Sequence, residues 1–261
     1  MAVFLQGCNL RCRYCHNPET QGFCATCGAC VPACPGRALS LEDGHLRFDE
    51  ARCQACERCV EACPAWTSPR TFRLTPAELL ERVRPVEPFL DGLTFSGGEC
   101  TLQVTFLMEA TRLLKKETRL TVLADTNGFM ESDVLEQLAQ EVDGFLFDLK
   151  AMETGTHLRL TGEGNAPILR NLTRVAALGK VVEVRTVVVP GFTDTETEIR
   201  AIAQFVRELP RSIPLRVTPF RPHGVRGVER DWPQMDPDRF ETLCGLARET
   251  LGSDRVRTAA L

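Results

Sequence analysis

Val3-Phe4-Leu5-Gln6-Gly7-Cys8-Asn9-Leu10-Arg11-Cys12-Arg13-Tyr14-Cys15-His16-Asn17-Pro18 decides how the rest of the chain is read. The apolar run Val3 to Leu5 reads as a short strand, and it runs directly into a loop carrying Cys8, Cys12 and Cys15. Three thiolates so close together can cap three irons of a cubane and leave the fourth without a protein ligand. Such an open position is what a catalytic metal needs, whereas a structural or electron-transfer site is normally closed by four ligands. A zinc site completed by His16 is the plainer alternative at this point.

Outward from this loop the thiols continue. Of 13 cysteines, 11 lie between Cys8 and Cys63, and only Cys100 and Cys244 fall outside. Within residues 21–70, Cys24-x2-Cys27-x2-Cys30-x3-Cys34-Pro35 recurs as Cys53-x2-Cys56-x2-Cys59-x3-Cys63-Pro64, a period of 29 residues, with Val31 and Val60 in the same place in each copy. This is the bacterial ferredoxin run, in which the fourth Cys ligates the other cluster. Cys24, Cys27 and Cys30 with Cys63 are expected to hold one [4Fe–4S] cluster, and Cys53, Cys56 and Cys59 with Cys34 a second. Their expected role is electron transfer, with a purely structural role as the alternative. The segment has too few aliphatic residues for an ordinary core and reads as an insertion held together by its ligands.

The redox setting follows. An odd thiol count at two- and three-residue spacings fits metal ligation better than a disulfide framework. The start MAVFLQGCNL has neither a basic leader region nor a long apolar run, so a reduced, cytoplasmic location is expected. No stretch offers about 18 uninterrupted apolar residues, so no membrane span is expected. Hydrophobic residues at 43% and charged residues at 25% exclude a disordered or fibrous chain, and the net charge of −4 argues against a dedicated nucleic-acid binder.

From about residue 71 the chain alternates strands and helices. Thr75-Pro76-Ala77-Glu78 reads as a capped helix start. Leu93–Phe95, Leu120–Ala124, Phe145–Leu149, Val181–Val189 and Leu215–Val217 read as strands. Helices are expected with Leu102, Phe106, Ala110 and Leu113 inward, from a Ser132 cap with Leu135, Leu138 and Val142 inward, and from Pro167 to Gly179. A Thr195–Glu198 cap opens another, and Asp236-Pro237 the last, with Phe240, Leu243, Ala247 and Leu251 on one face. Alternation at this spacing means parallel βαβ units. Six strands are too few for an eight-stranded barrel, so a partial barrel is expected. Cys100 and Cys244 are read as packed residues, and His45 and His157 as surface or turn residues.

The three-Cys loop, with an aromatic residue before its third Cys, resembles the signature of radical S-adenosylmethionine enzymes. With a two-cluster insert immediately downstream, the chain resembles the glycyl-radical-enzyme activating enzymes. FLQGCNLRCRYCHNP, SGGE, DTNG, DLK and VVVPG, in that order, are most similar to the YjjW-type activases. The resemblance implies an α/β fold: a partial (βα)6 radical-SAM barrel over residues 1–20 and 71–261, with a two-cluster ferredoxin-like domain inserted at 21–70. The chain begins inside the first strand at Met1, so either the start is placed late or that strand is truncated. Chemistry in such barrels sits at the C-terminal ends of the strands, where Cys8, Gly97-Gly98-Glu99, Asp125, Asp148 and Lys150 fall.

The resemblance further implies roles. Cys8, Cys12 and Cys15 hold a third [4Fe–4S] cluster, whose open iron chelates the amino and carboxylate groups of S-adenosylmethionine. Tyr14 and His16 lie along the nucleoside. Gly97 and Gly98 allow close approach to the methionyl amine and Glu99 offers a counter-charge, the alternative being a plain β–α turn. Asp125 and Asp148 help bind a monovalent cation, with Lys150 and Arg185 adding positive charge; strand-end salt bridges are the alternative. In the sixth-strand segment Thr218-Pro219-Phe220-Arg221-Pro222-His223-Gly224, Arg221 stands where the family has a His, and His223 is the candidate substitute.

The implied activity is reductive cleavage of S-adenosylmethionine to methionine and a 5′-deoxyadenosyl radical, which removes hydrogen from a glycine Cα of a glycyl-radical protein, YjjI-like by resemblance. A flavodoxin or ferredoxin is the implied electron donor, and a monomer is expected. The alternatives are a radical enzyme acting on a small molecule and a ferredoxin-type carrier on an inert barrel.

Overall fold

A computed structural model describes residues 1–259. The chain runs through β1 (Ala2–Leu5), then a Cys-rich stretch with β2 (Leu39–Glu42), β3 (His45–Phe48) and the one-turn helix α1 (Arg58–Glu61). It continues as α2 (Pro76–Val83), β4 (Gly92–Gly97), α3 (Val104–Glu117), β5 (Thr121–Thr126), α4 (Ser132–Glu141), β6 (Gly144–Asp148) and α5 (Thr154–Thr161). The last elements are α6 (Ala166–Ala177), β7 (Val181–Val188), α7 (Glu196–Glu208), β8 (Leu215–Pro219), α8 (Pro237–Leu251) and β9 (Val256–Thr258).

Seven strands form one parallel sheet in the order β1-β4-β5-β6-β7-β8-β9. Neighbours in sequence that are also neighbours in space, joined through helices, give the winding of a βα barrel. The count of six strands is one short. β9 has three residues and carries Arg257 and Thr258, too short and too polar to show as an apolar run, yet it pairs with β8 from Leu215↔Val256 to Val217↔Thr258. β1 pairs along all four of its residues, Ala2↔Thr94 through Leu5↔Gly97.

Alternation along the strands sorts the two faces of the sheet. Phe95, Ala124, Phe145, Phe147, Val184 and Val217 are fully buried against Leu107, Leu138, Ile168, Ile202 and Leu243 of the helices. The other face carries Ser96, Asp125, Asp148, Glu183, Arg185 and Arg216, so the concave side is polar and charged. Among the described residues no helix is long and apolar enough to cross a membrane.

The helix starts divide into kept and altered. Thr75 and Glu78 form both halves of a capping box on α2. Glu198 does not complete one on α7: the Thr195 hydroxyl accepts from the Glu198 amide, but the Glu198 carboxylate turns away to the amides of Met152 and Glu153. Ser132 is the first residue of α4 rather than its cap, and its hydroxyl bonds Asn171 Oδ1 of α6 at 2.6 Å. On α3 the buried face is Leu107, Ala110, Thr111 and Leu114; Phe106 and Leu113 are half-buried and Leu102 is exposed. A 3-10 turn over Cys100–Gln103 precedes this helix and shifts its phase. α5 had no signal in its short Thr- and Gly-containing sequence.

The Cys-rich stretch has its own antiparallel hairpin and its own small cluster of Cys30, Leu39, Cys59 and Val60, with Val31, Cys34, Leu46 and Phe48 packed against it. It leaves and rejoins the barrel at a closed neck, where the Ser68 amide donates to Glu19 O at 3.0 Å and Gln6 Nε2 donates to Ser68 O at 3.2 Å. The sequence repeat is also a repeat of conformation. Left-handed backbone occurs at Thr26 and Ala55, at Gly28 and Glu57, and at Arg37 and Trp66, each pair one 29-residue period apart. Left-handed backbone costs a non-glycine residue roughly 1–2 kcal/mol, a strain that so small an apolar cluster does little to offset.

Candidate active site

The three-Cys loop emerges from β1 and is fastened from several sides. Backbone bonds tie Gly7 N to Thr20 O (2.8 Å) and Cys8 N to Gln21 O (3.0 Å). Arg11 N donates to Thr161 O at 2.7 Å and Arg13 N to Leu160 O at 2.9 Å, so the end of α5 supports the loop. The Arg13 guanidinium pairs with Glu229 at 2.8 Å and lies 4.9 Å over the Trp232 ring. Cys8, Cys12 and Cys15 are half-buried. Burial pushes the Cys12 thiol up to about 12 and raises those of Cys8 and Cys15. His16 does not join the three thiols: its Nε2 lies 2.9 Å from Arg221 O. Gly224 packs so closely on His16 that a Cβ there would lie 2.7 Å from its carbonyl, while the His223 side chain is exposed.

Tyr14 is buried with Leu160, Val189, Phe220 and Val225, and its hydroxyl has no partner among the described residues. Lys150 Nζ stands 6.0 Å from its ring centroid.

Gly97 and Gly98 face backbone. A Cβ on Gly97 would lie 2.4 Å from both N and O of Leu5, and one on Gly98 would lie 2.2 Å from Gly7 O and 2.6 Å from Thr20 O. Gly97 also has a φ of +109°. Both positions need glycine so that β4 can press against β1 and the thiol loop.

The Glu99 carboxylate is 1% exposed. It accepts from Thr101 N (3.1 Å), Thr101 Oγ1 (2.7 Å), Thr126 Oγ1 (2.7 Å) and Asn127 N (2.7 Å). Burial raises its carboxyl above the ordinary value, against the pull of these donors. Glu99 thus organises the turn after β5. Asn127 in that turn donates to Asn9 Oδ1 at 2.9 Å and reaches Cys8 Sγ at 3.9 Å. Sequence reasoning singled out Asp125 from DTNG and passed over Asn127, although the motif contained it.

Asp125 Oδ2 accepts from Ser96 Oγ (3.0 Å) and Arg185 Nη1 (3.2 Å). Burial, and then the charge of Asp148, push its carboxyl up to about 6 despite Arg185. Asp148 holds Lys150 Nζ at 2.6 Å. Burial alone would lower the lysine; its ion pair outweighs burial and keeps it cationic. Arg185 also bonds Glu183 at 3.0 Å, and Glu183, 3% exposed, takes in Arg216 (2.8 Å) and Arg257 (3.2 Å) from the next two strands. Strand-end salt bridges are therefore present at these positions.

Cys100 is buried, donating to Asp125 O at 3.3 Å, and Cys244 is buried in the helix layer. His45 is exposed as expected. His157 is not a surface residue: it is fully buried on α5, its Nδ1 2.7 Å from Glu163 O, its Nε2 without a partner among the described residues, and burial holds it below the usual imidazole value. The hidden α5 concealed it.

In the Cys-rich stretch, one cavity is lined by Cys34, Cys53, Cys56 and Cys59, with Leu39, Phe48 and Arg70 around them. One thiol from the first repeat lines the same cavity as three from the second, a donor set of the kind an iron–sulfur cluster takes. Among the described residues no group of three or more metal-capable side chains stands ready to hold a metal ion. A second cavity, of about 560 Å³, lies between the three-Cys loop and this stretch, lined by Cys12, Cys15, Arg11, Phe23, Trp66 and Arg226. The Phe23 ring covers Gly7, where a Cβ would lie 2.3 Å from Cζ.

The Radical SAM superfamily model matches residues 2–205. The choline trimethylamine-lyase activating enzyme of Oleidesulfovibrio alaskensis is 33% identical over 223 residues, 78% of this chain and 72% of that protein. The isethionate sulfite-lyase activating enzyme of Nitratidesulfovibrio vulgaris is 35% identical over 280 residues, 96% of this chain and 90% of that protein. A solved domain of the pyruvate-formate lyase-activating enzyme from Bacteroides vulgatus shares the fold, with a TM-score of 0.56 at 20% identity over 65% of this chain and 99% of that one. The chain belongs to the radical SAM superfamily and, within it, to the glycyl-radical-enzyme activating enzymes.

Proposed function

We propose that this enzyme is a YjjW-type activase with three [4Fe–4S] clusters, acting on a glycyl-radical protein of the YjjI type in the reduced cytoplasm of an anaerobically growing cell. The observation that carries the three-cluster reading is the cavity framed by Cys34 together with Cys53, Cys56 and Cys59. Residues 21–70 form a ferredoxin-type domain, with Cys24, Cys27, Cys30 and Cys63 as the reciprocal set, and it receives electrons from a flavodoxin or ferredoxin. Residues 1–20 and 71–261 form the barrel, and the active chain is a monomer.

When bound, the cluster on Cys8, Cys12 and Cys15 and its S-adenosylmethionine supply one-electron chemistry that removes hydrogen from a glycine Cα of the partner. The protein's own part is positioning. The end of α5 and Asn127 hold the thiol loop in one shape. Gly97 and Gly98 bring the backbone of β4 under that loop, and their half-buried edge is where a methionyl amine would be met. Asp125 and Asp148 gather negative charge beside Lys150 and Arg185, a pairing suited to a cofactor carboxylate and a monovalent cation. Tyr14, His16, Arg221 and His223 line the approach to the nucleoside.

Reconstituted anaerobically with dithionite and S-adenosylmethionine, the enzyme should release 5′-deoxyadenosine. A candidate glycyl-radical protein should then show a glycine-centred EPR doublet; release without the doublet would shift the reading to a small-molecule substrate. Cys34→Ser should remove the same insert EPR signal as Cys56→Ser, and Cys63→Ser the other. Loss of one common signal in both Cys63→Ser and Cys56→Ser, with Cys34→Ser removing the other, would refute the crossed ligand sets.

A further inference from the structure

Comparing the two halves of the Cys-rich repeat position by position shows where they are alike and where they are not. They match in backbone: Thr26 and Ala55 are left-handed and each donates its amide to the preceding thiolate position, Cys24 Sγ and Cys53 Sγ, both at 3.4 Å. They match in exposure, since Cys27 and Cys56 are both exposed and Cys30 and Cys59 both buried. Gly28 and Glu57 occupy the same left-handed position between the second and third thiols.

What lies against that position differs. Leu41 Cδ2 would stand 3.5 Å from a Cβ on Gly28. One period of 29 residues further on, Leu41 corresponds to Arg70. Arg70 Nη2 stands 3.6 Å from Glu57 Oε1 and its side chain lines the cavity of Cys34, Cys53, Cys56 and Cys59. The two repeats thus present an apolar side chain to one thiol set and a guanidinium to the other. The Arg70 side chain is 24% exposed and Glu57 is 60% exposed, so the cation is the more withdrawn from water of the two. A second difference has the same sign: Ala38 N donates to Cys34 Sγ at 3.2 Å.

We propose that Arg70 sets the two ferredoxin-type sites of this enzyme apart in potential, holding the site of Cys34, Cys53, Cys56 and Cys59 as the more readily reduced, with Leu41 as its neutral counterpart. This rests on the two-cluster reading above. Reduction adds one electron and one negative charge, and a nearby cation that is poorly screened favours the state with the added charge. Hydrogen bonds to the sulfurs and the charge around a cluster are the protein's means of tuning it. The consequence is an order of filling: a single electron from a one-electron donor rests at the Arg70 site. The other set is nearer the barrel by connectivity, through Phe23-Cys24 and Cys63 to Trp66, both of which line the cavity beside Cys12 and Cys15.

The test is an EPR-monitored redox titration of the full-length reconstituted enzyme, with iron and sulfide counted in each sample. The wild type should show two separate insert waves. In Arg70→Leu, the repeat-matched substitution, the higher wave should fall by about tenfold in its reduced-to-oxidised ratio at fixed poise, 59 mV for a one-electron couple. In Leu41→Arg the lower wave should rise by a similar factor. Full cluster content with both waves unmoved in Arg70→Leu overturns the proposal, as does a single unsplit wave in the wild type. Should Arg70→Leu lose its cluster, Leu41→Arg decides alone, an unmoved lower wave overturning it. Absence of insert clusters from the wild type by iron count overturns the two-cluster reading itself.

Discussion

The carbonyl of Leu160 accepts the backbone amide of Arg13 at 2.9 Å, so a helix end that would otherwise leave its last carbonyls bare is completed by the thiol loop. The residue that stops this helix is Gly162, with a φ of +86°. A Cβ there would meet only Arg11 Cβ, at 3.8 Å, so replacing it tests conformation rather than space. Gly162→Ala should destabilise the protein by about 1 kcal/mol, a fall in Tm of roughly 2–4 °C. Calorimetry checks this, and an unchanged Tm would remove the helix end from the loop's support.

Gly98 and Gly245 should respond in opposite directions. Gly98→Ala drives a methyl into two carbonyl oxygens of the thiol loop's backbone and should prevent accumulation of soluble protein. Nothing lies within 4 Å of a Cβ on Gly245 inside α8, so Gly245→Ala should stabilise by about 0.5–1 kcal/mol. The yield of soluble protein checks the first, with wild-type yield overturning it, and a urea midpoint checks the second.

Glu99→Gln replaces an oxygen that accepts the Asn127 amide with a group that donates. The unsatisfied pair should cost about 1–3 kcal/mol, and Asn127 should lose its fixed approach to Asn9 and Cys8. A urea midpoint within error of wild type would show that Thr101 and Thr126 alone hold the turn.

Glu183 makes stability pH-dependent with a definite sign. Burial alone would raise its carboxyl, but Arg216 and Arg185 outweigh burial and hold it below the ordinary carboxylate range. The stability it contributes is therefore present above the unfolded value of about 4.3 and is lost as pH falls through the lower folded value. Glu183→Gln should cost about 1–3 kcal/mol at pH 7, because Arg216 and Arg257 lose their carboxylate while Arg185 keeps Asp125. That deficit should shrink toward acid pH. Denaturant unfolding at neutral and acid pH measures both, and a constant deficit would contradict the assignment.

What the sequence made legible was contiguous. The strand ends bearing Cys8, Gly97, Asp125 and Asp148 are legible because each motif sits beside its own apolar run. What escaped was set by distant partners. β9 is a strand only because β8 offers it an edge. Glu198 abandons its cap for Met152 and Glu153, which are far away in sequence. His157 looked like a surface residue until α5 was seen to bury it, and Asn127 gained its role only when folding brought Asn9 alongside. Glu99 was expected to offer a charge outward and instead spends it on the turn behind it.

The neck at Glu19 and Ser68 bears on how the enzyme matures. The Ser68–Glu19 bond ties the two ends of the Cys-rich excursion together beside β1, so the closure of that long loop is set at its base rather than along its length. On the proposed cluster reading, taking up iron and sulfide then has only the lobe itself to order, and the register of β1 on β4 is left to the barrel.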